Sequence, residues 1–168
     1  MRSSSPFRPR LPSVALPFVA ALLVWGFLGL PALAAQEWPR ADFSGWYQGV
    51  EGFRDAITLQ KESGKPMFVY FYTDWCGYCA QFERVLLNEP LVIDYLDTII
   101  KVRVNPERGR AEREIANMYQ VRGFPVLVMH SGASKTMSRV PRYTERDGKA
   151  RLLDAEDFVK GLKEAASL

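Results

Sequence analysis

The chain has 168 residues, 48% of them hydrophobic and 24% charged, with two cysteines and one histidine. That length suits one domain, and the composition excludes a wholly disordered chain and a multi-span membrane protein. Two cysteines exclude a disulfide-dense scaffold, and two cysteines with one histidine exclude a four-ligand Cys/His zinc site.

The formal net charge of +3 is unevenly placed. Arg2, Arg8 and Arg10 precede the first acidic residue, Glu37, and the chain after residue 34 carries 19 basic and 19 acidic side chains. A neutral domain has no electrostatic footprint for nucleic acid. Arg139, Arg142, Arg146, Lys149 and Arg151 form a small basic cluster, interrupted by Glu145 and Asp147, that reads as solvated surface.

Residues 1–13 are basic, Val14–Leu30 is almost wholly apolar, and Ala32-Leu33-Ala34 supplies an A-x-A ending. This is the pattern of a secretory signal peptide over 1–34, leaving a domain over 35–168. An uncleaved anchor is the alternative, but Pro17, Gly26 and Gly29 weaken the run as a spanning helix. No cysteine near the cleavage point offers a lipid site, and no Arg-Arg pair offers a twin-arginine signal. Export places the mature protein in an oxidising compartment, with a bacterial periplasm as the expectation.

After a lead-in over Ala35–Ala41, Phe43–Tyr47 reads as a short strand. Val50, Phe53 and Ile57 recur at helical spacing up to Gly64, a C-cap glycine. Met67–Tyr72 is a continuous apolar run, a strand buried on both faces. A helix follows from Cys76, with Phe82, Val85 and Leu86 on its apolar face, ending near Pro90. Leu91–Leu96 adds a helical turn or two, and Ile99–Val104 is a strand closed by Asn105-Pro106. Ile115, Met118 and Tyr119 mark another helix. Val126–His130 is a strand, Ser131-Gly132 a turn and Met137–Val140 the return strand of a hairpin. Asp147-Gly148 signals a second turn. Asp154 caps a last helix with Ala155, Phe158, Val159, Leu162 and Ala166 on one face. Strands alternating with helices and ending in a hairpin predict an α/β fold, a central mixed sheet flanked by helices on both faces.

The chemistry sits at Cys76-Gly77-Tyr78-Cys79, where a buried strand meets a helix. Unpaired N–H groups and the positive end of the dipole at a helix N-terminus stabilise a thiolate on Cys76. The thiolate is the attacking species in thiol–disulfide exchange. Cys79, a turn further in, is suited to resolve the mixed disulfide, and Gly77 leaves the first sulfur approachable. A purely structural disulfide would add little at this spacing, and a c-type haem would need His in place of Ala80. Two inert thiols would be an odd choice in an oxidising compartment. His130 reads as a loop-edge residue outside catalysis, and Trp38 and Trp46 as packing residues.

Trp75-Cys76-Gly77-Tyr78-Cys79 after Met67–Tyr72, with Gly123-Phe124-Pro125 before a strand, resembles the thioredoxin superfamily over residues 42–166. Gly64-Lys65-Pro66, Asp74-Trp75-Cys76, Phe82-Glu83 and the start of the last helix at Leu152–Phe158 are similar to the C-terminal thioredoxin-like domain of DsbD-type thiol:disulfide interchange proteins. The resemblance implies a thioredoxin fold with Cys76 as nucleophile and Cys79 as resolving thiol. It implies a cis Pro125 facing the pair, and a Phe124 backbone offered to a partner peptide in strand-like pairing. Trp75 and Tyr78 would touch the partner. The Gly-Tyr dipeptide departs from ordinary thioredoxins and resembles disulfide isomerases such as DsbC. The buried Asp that many members carry six positions before the first cysteine is here Tyr70. Glu83, four residues after Cys79 on the same helix face, is the candidate acceptor of the Cys79 proton, with a solvent-facing carboxylate as the alternative.

The function expected is an exported thiol:disulfide oxidoreductase that reduces disulfides in partner proteins. It would need no cofactor and no metal, act as a monomer, and be recharged by a membrane electron donor. An oxidase or isomerase, and a redox-inactive thioredoxin-fold binding or chaperone module, remain as alternatives.

Overall fold

The computed structural model describes residues 40–132 and 136–168. The expected signal peptide, its cleavage point and Trp38 lie outside them. The elements run β1 (Tyr47–Gln48), α1 (Gly49–Ser63), β2 (Met67–Phe71), α2 (Gly77–Val85), α3 (Pro90–Leu96) and β3 (Ile100–Val104). They continue with α4 (Arg110–Met118), β4 (Val126–His130), β5 (Met137–Arg139), β6 (Tyr143–Arg146), β7 (Lys149–Leu152) and α5 (Ala155–Ser167).

Five strands form one mixed sheet in the order β1-β3-β2-β4-β5, and β6-β7 form a separate two-stranded sheet. β2 is central. It runs parallel to β3, with Met67 opposite Ile100, and antiparallel to β4, with Met67 opposite His130. All five of its residues are buried, which is why its sequence is continuously apolar rather than alternating. Its side chains still alternate between two cores. Phe68 and Tyr70 join Phe82, Leu86, Val92, Leu96, Phe158 and Leu162 beneath α2, α3 and α5. Met67, Val69 and Phe71 join Phe53, Ala56, Val102 and Ile115 beneath α1 and α4. The sheet is therefore covered on both faces.

Gly64 is the left-handed C-cap of α1. Asp154 caps α5 by accepting from the Asp157 N–H at 2.9 Å. Three expectations change. Phe43–Trp46 is a turn, closed by the Trp46 N–H to the Phe43 carbonyl at 3.2 Å, and only Tyr47–Gln48 pairs with β3. Val85 and Met118 are exposed rather than on buried helix faces. The buried stripe of α2 is Cys79, Phe82, Glu83 and, at its cap, Leu86, an i, i+3, i+4, i+7 set that leaves Val85 at its edge. The second turn signal also proves to close a hairpin. Asp147 and Gly148 both have positive φ, 55° and 67°, the backbone of a two-residue turn whose twist matches its flanking strands.

Candidate redox site

The loop from β2 to α2 carries the cysteines out of the sheet centre. Cys76 is the N-cap of α2, and its backbone N–H donates to the Thr73 carbonyl at 3.3 Å. Cys76 and Cys79 form a disulfide, with Cα atoms 5.2 Å apart. The Cys79 backbone N–H donates to Cys76 Sγ at 3.0 Å. An N–H donor on this sulfur at a helix N-terminus is an arrangement that favours a thiolate on Cys76 when the disulfide is reduced. Cys76 retains 4% exposure and Cys79 none. A Cβ on Gly77 would meet no atom within 4 Å, so the space over the first helical turn is open to a partner.

The Phe124–Pro125 peptide bond is cis. The loop that carries it reaches the cysteine loop through Trp75, whose ring meets that of Phe124 edge-on at 6.4 Å. Trp75 is 71% and Tyr78 66% exposed, so two aromatic side chains flank the disulfide at the surface. Trp75 does not swing freely. Its Nε1–H donates to both carboxylate oxygens of Glu107 at 3.0 and 2.9 Å. Asp74 accepts from Asn105 Nδ2 at 3.2 Å and from Arg108 at 2.8 Å. The β3–α4 loop thus holds the segment just before Cys76. In the sequence Asn105-Pro106 marks only the end of a strand. The available signal was Asn-Pro-Glu-Arg following a strand parallel to the one that carries the cysteines.

Glu83 is fully buried, not a solvent-facing carboxylate. Oε1 accepts from the Tyr70 hydroxyl at 2.8 Å, and Oε2 from Arg40 Nε at 2.7 Å. Burial, with the Glu83 charge beside it, pushes the Tyr70 phenol above its ordinary value, so Tyr70 remains a donor at neutral pH. Tyr70, at the position noted for its lack of a carboxylate, is therefore hydrogen-bonded to a carboxylate supplied by α2. No hydrogen bond among the described residues joins Glu83 to Cys79, which lies one helical turn away. The segment before β1 closes this buried corner. Arg40 reaches in with half of its side chain exposed, Phe43 stacks on Tyr70 at 6.3 Å, and Trp46 meets Phe68 and Tyr70 edge-on. Arg103 lies over the rings of Phe43 and Tyr72 at 3.8 and 3.9 Å. Trp46 is a packing residue, as expected. No local sequence pattern announces Arg40 or Arg103, because each acts across a long chain separation.

His130 ends β4 half-buried, with Nε2 2.6 Å from the Tyr119 hydroxyl, and pairs with Met67 at the end of β2 opposite the one that leads to the cysteines. Burial pushes its pKa down to about 4. It is the last residue of β4, at the edge of the loop that follows, as expected. Among the described residues no group of three His, Cys, Asp or Glu is placed to hold a metal ion, and no helix is long and apolar enough to cross a membrane.

Comparison with known proteins gives this geometry its context. The thioredoxin-like domain family profile matches residues 53–156. The thiol:disulfide interchange protein DsbD of Vibrio vulnificus is 30% identical over 81 residues, 48% of this chain and 14% of that protein. The protein disulfide-isomerase erp38 of Neurospora crassa is 26% identical over 113 residues, 67% of this chain and 30% of that protein. The chain thus matches only a small part of the length of these relatives. Among solved structures, the oxidised C-terminal domain of Neisseria meningitidis DsbD superposes with a TM-score of 0.54 at 19% identity, covering 75% of this chain and 97% of that one. A thioredoxin from Thermus thermophilus gives 0.52 at 22% identity, covering 71% and 86%. These structures share the thioredoxin fold with the chain. With a cysteine disulfide capping the helix that follows the central strand and a cis-proline loop beside it, the chain belongs to the thioredoxin-like domain family.

Proposed function

We propose that the chain is an exported thiol:disulfide oxidoreductase that reduces disulfides in partner proteins. The observation that carries this reading is the Cys76–Cys79 disulfide at the N-terminus of α2, with the Cys79 N–H on Cys76 Sγ. In the reduced chain the Cys76 thiolate attacks one sulfur of a partner disulfide. The partner S–S bond breaks, a Cys76–partner bond forms, and the released partner thiolate takes up a proton. Cys79 then loses its proton, with Glu83 or water as acceptor, and attacks Cys76 Sγ. The second partner sulfur leaves and is protonated. Two electrons and two protons have moved to the partner, and the chain carries the Cys76–Cys79 disulfide. No cofactor enters. A dithiol on a membrane electron donor would restore the reduced form by the reverse exchange.

Trp75, Gly77, Tyr78, Phe124 and Pro125 would form the partner contact, with the Phe124 backbone pairing to an extended partner segment around its cysteine. The protein would work as a monomer in the periplasm after cleavage behind Ala34. The intact mass of the exported protein checks this last point. A mature chain starting at Ala35 is expected, and full-length protein retained in membranes would make the segment an anchor. Reduction of insulin disulfides tests the activity. The purified protein should accelerate insulin precipitation by dithiothreitol, and Cys76→Ser should abolish the acceleration. No acceleration by the wild-type protein would favour a binding module whose cysteines are not turned over.

A further inference from the structure

The β6–β7 hairpin stands apart from the five-stranded sheet. Its strands are mostly exposed, so it adds little to the core. Its base is nevertheless fixed. The Leu153 N–H donates to the Arg142 carbonyl at 2.9 Å, and Leu152 and Leu153 pack against the buried cluster beneath α2 and α5. The hairpin is therefore a firm wall, and it stands beside the redox site. Between them lies a cleft of about 920 Å³, lined by Tyr78 and Gln81 of α2, Phe124 of the cis-proline loop, and Arg142, Arg146 and Arg151 of the hairpin.

This cleft has a single sign of charge. No Asp or Glu lines it; Glu145 and Asp147 belong to the hairpin but not to the cleft wall. None of the three arginines takes part in an ion pair among the described residues. Arg142 is held with its guanidinium over the Tyr143 ring at 4.8 Å, and its Nε–H is buried without an acceptor among the described residues. The chain after residue 34 is balanced in charge only with these three arginines counted, so the positive excess is local to the cleft that opens beside Tyr78, one of the two residues between the cysteines.

We propose that this cleft docks an acidic, extended segment next to the reactive cysteine of a partner protein, so that the hairpin selects which disulfides reach Cys76. The proposal rests on the redox reading above and adds the partner's chemistry to it. Opposite charges across an interface speed encounter and set partner choice more than they add raw affinity. The effect belongs in the second-order rate of exchange and weakens with salt.

The test uses the reduced purified protein and two disulfide-bonded peptides that differ only in having Asp and Glu, or Lys and Arg, beside the cysteine. At low ionic strength the acidic peptide should oxidise the protein about five- to tenfold faster, since each exposed charge contact contributes a modest factor. The ratio should approach one as salt is raised. Arg146→Glu with Arg151→Glu should reverse the preference by accelerating the basic peptide, a gain that misfolding cannot produce. Equal rates with both peptides in the wild-type protein would overturn the docking proposal and leave the redox reading standing. Exchange with neither peptide would overturn the redox reading. In that case, salt-sensitive binding of a cysteine-free acidic peptide to the oxidised protein would sustain the docking surface, and no binding would end it. Equal exchange rates together with binding to vesicles rich in anionic lipid would assign the arginines to a membrane and contradict the proposal.

Discussion

Glu83 occupies a position in the buried stripe of α2 that would ordinarily hold an apolar side chain, one turn from Cys79 and hydrogen-bonded to Tyr70 and Arg40. Placing a carboxylate there costs desolvation, which the Arg40 ion pair and the Tyr70 hydroxyl offset. If it serves as proton acceptor, Glu83→Gln should slow resolution of the mixed disulfide about 10²-fold, the low end for loss of a general base, while Cys76 alkylation stays nearly unchanged. An unchanged resolution rate would leave water as the acceptor and Glu83 as a structural ion-pair partner. The same substitution should lower stability by about 1–2 kcal/mol, because it removes a buried charge-assisted hydrogen bond while Arg40 can turn to solvent. Urea unfolding measures that loss. At the cysteines, brief alkylation of the reduced protein near neutral pH should label Cys76 first. Cys79→Ser should accumulate mixed disulfides with partners, visible on non-reducing gels. Preferential labelling of Cys79 would reverse the two roles.

The elements that carry the site are held by close approaches between loops as well as by packing. A Cβ on Gly132, in the turn after β4, would lie 2.1 Å from the Gly64 carbonyl oxygen at the end of α1. Backbone cannot yield as a flexible side chain does, so Gly132→Ala should cost about 1–3 kcal/mol in thermal or urea unfolding. A neutral result would mean that the two loops separate without cost. Phe82 ties α2 to α5 through an edge-on contact with Phe158 at 5.6 Å and is fully buried. Phe82→Ala should cost about 3–5 kcal/mol, and a loss well below that would show that the helices repack. The two kinds of element differ in how readable they were. β2, α2 and α5 were legible because their apolar residues recur in runs or at helical spacing, and the cysteine motif fell at a strand-to-helix junction. β6 and β7 were not, because Tyr143–Arg146 and Lys149–Leu152 lie on a solvated hairpin with no buried face to impose alternation; only Asp147-Gly148 pointed to it. The Arg40–Glu83–Tyr70 cluster was half legible. Cys79, Phe82 and Leu86 define the stripe on which Glu83 must fall, but Arg40 is 43 residues distant in the chain and has no local pattern to announce it. The hold of Asn105, Glu107 and Arg108 on Asp74 and Trp75 is hidden for the same reason.

Across the whole molecule, His130 links stability to pH. Its pKa is about 4 in the folded chain against an ordinary 6.5. Between those values the unfolded chain holds a proton that the folded chain does not. The contribution is complete above pH 6.5 and is lost as pH falls through 4. With the ring partly open to solvent, it amounts to about 1–2 kcal/mol. Urea midpoints at pH 7.5 and 4.5 should therefore differ more for the wild-type protein than for His130→Gln, and equal differences would remove His130 from the account. The fold also sets the Cys76–Cys79 couple at the N-terminus of α2, just beyond the central strand, where Cys76 is placed as the attacking sulfur. The central claim is that this couple supplies electrons to partner disulfides, and its reduction potential against glutathione tests that most directly. A value near the thioredoxin end of the range, about −270 mV, is the result this account predicts, and a value near the DsbA end, about −120 mV, would contradict it.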